Sequence, residues 1–164
     1  MRRTVSFLSI LLITSAHAAT AQDAKLVGTW KFDAGRSEGL PPGLQLSLAI
    51  REAGDTAIVE TRVTTPQGPV VLSDTILLTG VEFAYTYRRA NGMEGRGRRT
   101  ARRTSTGLAL SDSVSIDTQI GPAARTTTAN WIVDASAGTL TQDITVTQQF
   151  FVTPVKYVFV RGNQ

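Results

Sequence analysis

From Leu26 onward the chain alternates between apolar and polar positions. Leu26, Gly28, Trp30 and Phe32 fall on one face of an extended segment and Val27, Thr29 and Lys31 on the other. A period of two predicts a half-buried β-strand. After a Gly- and Pro-containing loop (Asp33–Gly43), Leu44, Leu46, Leu48 and Ile50 alternate with Gln45, Ser47, Ala49 and Arg51. Ala57, Val59, Thr61 and Val63 then oppose Ile58, Glu60 and Arg62. A strand follows from Val70 to Leu78, and another carries Val81, Phe83, Tyr85 and Tyr87 on one side.

The second half repeats the rhythm. Asn91-Gly92 is the strongest hairpin signal, because both central residues of a tight turn favour positive φ. Arg98–Thr104 is the returning strand. Leu108, Leu110, Asp112, Val114 and Ile116 face one way from the next, and Gly121-Pro122 ends it. Arg125–Val133, Leu140–Gln148 and Val155–Arg161 complete the series, with Pro154 marking an edge or a bulge. Roughly ten short strands, turn signals about every 8–15 residues and no helical period predict an all-β domain. The short turns favour a single antiparallel up-and-down β-barrel of roughly 8–10 strands.

The first residues follow a different pattern. Arg2 and Arg3 precede the apolar run Phe7–Ile13, and Ala16-His17-Ala18 and Ala19-Thr20-Ala21 are small-x-small sites. This predicts a signal peptide over 1–21 and export to the periplasm or beyond the cell. The run is shorter than the roughly 20 apolar residues that cross a bilayer as a helix, so no transmembrane span is expected in the mature chain. The 143 residues from Gln22 to Gln164 are enough for one domain with a core of its own.

Cleavage would narrow the chemistry. The one histidine, His17, leaves with the leader, and the chain has no cysteine. A Ser-His-Asp triad, a cysteine nucleophile, a structural zinc site and a haem held by His or Cys are excluded from such a chain. No metal and no cofactor are expected, and a non-catalytic role is favoured over an enzymatic one.

Gly28-Thr29-Trp30 resembles the G-x-W that opens lipocalin and related calycin barrels. In those folds the tryptophan closes the barrel base near an arginine of the last strand, and the matching position is Arg161. The resemblance implies a structural role for Gly28, Trp30 and Arg161. The wider opening, with Asp33, Arg36-Ser37 and Pro41-Pro42, is similar to that of small exported bacterial barrel proteins of unassigned function. The middle Thr-Asp-Tyr motif of lipocalins and their disulfide are absent from this chain.

Charge adds the densest local feature. Arg88, Arg89, Arg96, Arg98, Arg99, Arg102 and Arg103 stand against Glu94 alone, a local charge of +6 in a mature chain whose total is +2. Either the arginines pair with carboxylates on neighbouring strands, or they meet an anionic partner. Alternation also turns one of the pairs Arg98/Arg102 and Arg99/Arg103 inward. Asp74, Asp112, Gln142, Gln148, Tyr85 and Tyr87 share the apolar faces of other strands, as Arg125 and Tyr157 do on one assignment. Buried charge needs partners, so the interior holds either an Arg–Asp network or a polar grip on an amphipathic ligand. An acid/base role for Asp74 and Asp112 would need a suitable separation and one raised pKa.

The leading expectation is binding of a small apolar or amphipathic ligand, lined by Tyr85, Tyr87, Arg99, Arg103 and Gln142. The alternative is an envelope-associated protein that holds an anionic polymer or lipid surface through Arg88, Arg89, Arg96, Arg98 and Arg102. Nucleic acid is not an expected partner, since the run lacks aromatic stacking residues. An outer-membrane barrel would also alternate, but Lys31, Arg51, Glu60 and Arg62 fall on faces opposite the apolar residues, and no aromatic girdles recur at the strand ends.

Overall fold

A computed structural model describes residues 25–39, 43–88, 94–118 and 121–162. Ten antiparallel strands form one sheet: β1 (Gly28–Phe32), β2 (Gln45–Ala53), β3 (Thr56–Thr65), β4 (Gly68–Leu77), β5 (Phe83–Arg88), β6 (Glu94–Thr104), β7 (Gly107–Thr118), β8 (Gly121–Asp134), β9 (Thr139–Gln148) and β10 (Phe151–Arg161). Their order is β4-β3-β2-β1-β10-β9-β8-β7-β6-β5. Every neighbour is a chain neighbour except β1 and β10, which join first strand to last. No helix occurs among the described residues, and so none that could cross a membrane.

The sheet curls so that one face becomes the interior. Registers carry this face across the strands: Leu72, Thr61, Leu48, Trp30 and Arg161 form one row, and Tyr157, Gln142, Trp131, Leu108 and Arg103 another. The lower half of the barrel is an apolar plug of Trp30, Leu48, Ile50, Val59, Ile76, Leu108, Trp131, Leu140 and Phe159. Six of its side chains, Trp30, Phe159, Ile50, Ile76, Leu108 and Leu140, are fully buried. Each contributes about 1.5–3 kcal/mol from burial.

Trp30 closes the base. Its indole Nε1 donates to the Leu26 carbonyl at 2.9 Å, and the Arg161 guanidinium lies 4.5 Å from the ring centroid. Arg161 also donates to the Lys25 carbonyl at 3.0 Å, fastening the segment that enters β1. Gly28 makes this stacking fit: a Cβ there would press on Arg161 Nη1, and its φ of 144° is one that other residues rarely adopt.

The loop after β1 is built from side chains. Asp33 accepts from the Gly35 and Arg36 amides and from Arg36 Nε at 2.7 Å, and that hydrogen bond holds its carboxyl below the usual carboxylate range. Ser37 donates to the Asp33 carbonyl and accepts from the Val158 amide, and Glu38 then bridges to Lys156. Val158 and Lys156 thus turn their backbone groups toward this loop. Pro154 shares their parity, so its missing N–H removes nothing from the β9 ladder. This is how β10 runs through Pro154 instead of starting after it.

Two other strands are longer than the alternation indicated. β6 begins at Glu94 and β8 at Gly121, which takes Gly121-Pro122 into the strand, because ladder partners hold residues whose own pattern is weak. The Asn91-Gly92 turn and Arg89 lie outside the described residues, and of Tyr87 and Arg88 only the backbone is described.

Arg161→Ala should lower stability by about 1–2 kcal/mol, the sum of a partly exposed cation–π contact and its hydrogen bonds. Urea unfolding followed by tryptophan fluorescence measures it.

Candidate functional site

The inner face changes character above the plug. Phe32, Leu46, Leu110, Ile144 and Tyr157 pack on the plug with one side only and are half-buried. On β4, Leu72 and Val70 share this face and are 57% and 45% exposed. An apolar basin therefore lies above a sealed floor. The strands' upper turns form its rim, where Phe150, Phe151 and Val152 at the β9–β10 turn are exposed.

One side of the basin has no backbone ladder. β4 and β5 are the two edges of the sheet and do not pair. Below, the chain leaving β4 touches β6, through a Thr79–Arg102 bridge and a Gly80 amide bond to the Ala101 carbonyl. Higher up, side chains span the gap. Arg99 of β6 reaches Asp74 of β4, with Nη1 at 2.8 Å from both carboxylate oxygens. Its Nη2 donates to Asp112 of β7 at 3.3 Å, and the Tyr85 hydroxyl of β5 donates to the same carboxylate at 2.7 Å.

The register explains why these four meet. Arg99 pairs with Asp112 across β6–β7 and with Phe83 across β5–β6. Tyr85 pairs with Gly97, and a Cβ on Gly97 would overlap its ring. The glycine lets the ring lie flat on β6, beneath the Arg99 guanidinium at 5.2 Å.

The electrostatics follow. Burial works against the Arg99 charge, but the Asp74 hydrogen bond and the Asp74 and Asp112 charges outweigh it, and its pKa stands above the ordinary value. Burial, then the hydrogen bond to Asp112 and its charge, pushes the Tyr85 phenol up to about 12. Asp74 and Asp112, read from the sequence as a conceivable acid/base pair, are the two partners of one guanidinium.

The other sequence-derived residues are placed as follows. Arg99 and Arg103 face inward and Arg96, Arg98 and Arg102 outward, which divides the arginine run between the two faces of β6. Arg103 lies at the barrel base, not in the basin, bonded to Glu52 at 2.6 Å and to the Gly54 carbonyl. Gln142 is buried on the inner face beside Tyr157 and Trp131. Arg98 meets Glu82 at 3.3 Å, both exposed. The basin walls Phe32, Leu46, Leu72, Leu110 and Ile144 were not singled out by residue type, although their alternation put them on inner faces. Among the described residues no group of His, Cys, Asp and Glu could hold a metal ion. A groove of about 670 Å³ runs over β1–β3, lined by the outward-facing Lys31, Gln45, Ser47 and Arg62 together with Phe32 and Leu46 of the basin wall.

No family model and no curated protein matches the chain. Solved structures do. A fatty acid binding protein of Schistosoma mansoni in complex with arachidonic acid is 15% identical, with a TM-score of 0.51, over 84% of this chain and 96% of that one. The fold is a calycin-type β-barrel. A zebrafish ileal bile acid-binding protein complexed with cholic acid is 14% identical (TM-score 0.48; 83% and 98% covered). Secretory abundant heat soluble protein 4 of Ramazzottius varieornatus is 17% identical (TM-score 0.47; 84% and 94% covered). In this barrel Trp30 of the G-x-W stands under Arg161 of the last strand.

The raised Tyr85 pKa has a signed consequence. A phenol that ionises near 10 when unfolded and near 12 when folded contributes stability that is complete below pH 10 and lost as pH rises toward 12. Burial shifts Tyr157 in the same direction. Tyr85→Phe should remove about 1 kcal/mol of that alkaline decline, less than the full two-unit difference because the phenol is screened by solvent. Unfolding midpoints measured across pH 10–12 test this.

Proposed function

We propose that this protein binds small apolar molecules without catalysis, in the upper half of its barrel, after export to the periplasm or the cell exterior. The observation that carries the reading is the exposure of Leu72 and Val70 on the inner face above a floor of fully buried side chains. Apolar surface facing inward and left uncovered by the protein's own side chains suits an apolar guest, and such sites are concave with few polar groups. The fold likeness to a fatty acid binding protein in complex with arachidonic acid supports the reading. The leader-like first residues support export.

N-phenylnaphthylamine, an uncharged apolar fluorophore, should brighten on binding the mature protein and saturate at one per chain. Leu72→Asp places a charge in the basin at a position exposed enough to fold, and should weaken the dye at least tenfold. A dye that fails to bind, or binds the variant equally, would sink the basin as a binding site.

A second reading has one observation in its favour. Arg96, Arg98 and Arg102 all stand on the outer face of β6, where an anionic polymer or lipid surface could meet them. The triple Arg→Gln variant should lose retention on heparin, and the wild type should elute early as salt rises. Unchanged retention in the variant would refute this reading.

A further inference from the structure

The basin's charged groups limit what polar end a guest can carry. Arg99 would be the natural grip for a carboxylate, but its guanidinium is already engaged. Nη1 lies on both oxygens of Asp74 and Nη2 on Asp112. Nε has no partner and is closed off from solvent within a side chain only 11% exposed. The Tyr85 hydroxyl, the other obvious donor, is given to Asp112.

The sum of the cluster is one positive charge against two negative ones. Asp112 is 14% exposed, whereas Asp74 is 53% exposed and stands beside Leu72 on the inner face of β4. The surface that this cluster offers a guest is therefore the acceptor side of a carboxylate, with spare lone pairs, while the donors of Arg99 and Tyr85 are committed to the aspartates. A negatively charged head placed there would meet like charge at short range in a partly desolvated site, where repulsion is stronger than in water. A hydroxyl or an ammonium would instead donate to Asp74 and complete the network.

We infer that the guest is an amphiphile whose polar end donates hydrogen bonds and carries no negative charge, and that Asp74 is the residue that selects it. This rests on the basin being the binding site. It departs from the expectation that Arg99 and Tyr85 hold a carboxylate, because both are committed to aspartates. Arg125 stands at the rim of the same face, opposite Gln148, and is exposed. It is therefore the one inner-face cation near the basin, among the described residues, with no carboxylate assigned to it, and the test controls for it.

Three probes of equal chain length isolate the head group: hexadecylammonium, hexadecanol and hexadecanoate, each displacing N-phenylnaphthylamine from the full mature protein. Hexadecylammonium and hexadecanol should each displace the dye at least tenfold more effectively than hexadecanoate, a difference of about 1.4 kcal/mol. Asp74→Asn keeps an oxygen for Arg99 and removes one negative charge, and should shrink that ratio to threefold or less. Arg125→Gln should leave it unchanged. Hexadecanoate binding as well as hexadecylammonium, or an unaltered ratio in Asp74→Asn, would overturn the inference while leaving the basin intact. Dye binding with displacement by none of the three would also overturn it. Failure of the dye itself to bind would remove the basin, and this inference with it.

Discussion

Above the Gly80–Ala101 backbone contact, closure between β4 and β5 depends on an arginine, because no ladder of backbone hydrogen bonds joins these strands. Arg99 reaches from β6 past the β5 edge to Asp74 and back to Asp112, so four strands are linked through one guanidinium and the Tyr85 hydroxyl. Taking such a charge out of water is costly, and the two carboxylates offset that cost. Ladder bonds would have closed the barrel with any side chains; a side-chain seam closes it only with these.

At the other end of the interior the constraint is steric. Trp30 must be covered, and the cover is a cation whose flat face needs room over the indole. Gly28 supplies that room, and Arg161 is in register with Trp30 across the β1–β10 pair. This pair is also where the two arms of the meander join, at the greatest sequence separation in the sheet. The same contact therefore seals the floor and connects the ends of the chain. The polar seam above and the apolar plug below divide the interior into a solid lower half and a basin.

The seam gives the basin its chemical sign. In this chain the inward arginines of β6 are spent on structure, Arg99 across the gap and Arg103 on Glu52 at the base. What faces the basin is the half-exposed carboxylate of Asp74. Inward arginine alone would suggest a site for anions, and its partners reverse that sign.

Strand identity and the all-β class were legible in the sequence, and the G-x-W resemblance pointed to the positions where Arg161 stacks on Trp30. Each depends on a local signal, a period of two or a short motif. Alternation also placed Asp74, Asp112, Tyr85 and Gln142 on apolar faces. It could not say which face of β6 is interior, since the segment has arginines on both. Gly97 and Ala101 share parity with Arg99 and were the available clue, as small residues leave room for what crosses an interior. The pairing of Arg99 with Asp74 and Asp112, and the location of Arg103 at the base, come from registers between strands distant in sequence. Only tertiary structure decides those, because period-two alternation orders residues within a strand and carries no information about which strand lies opposite.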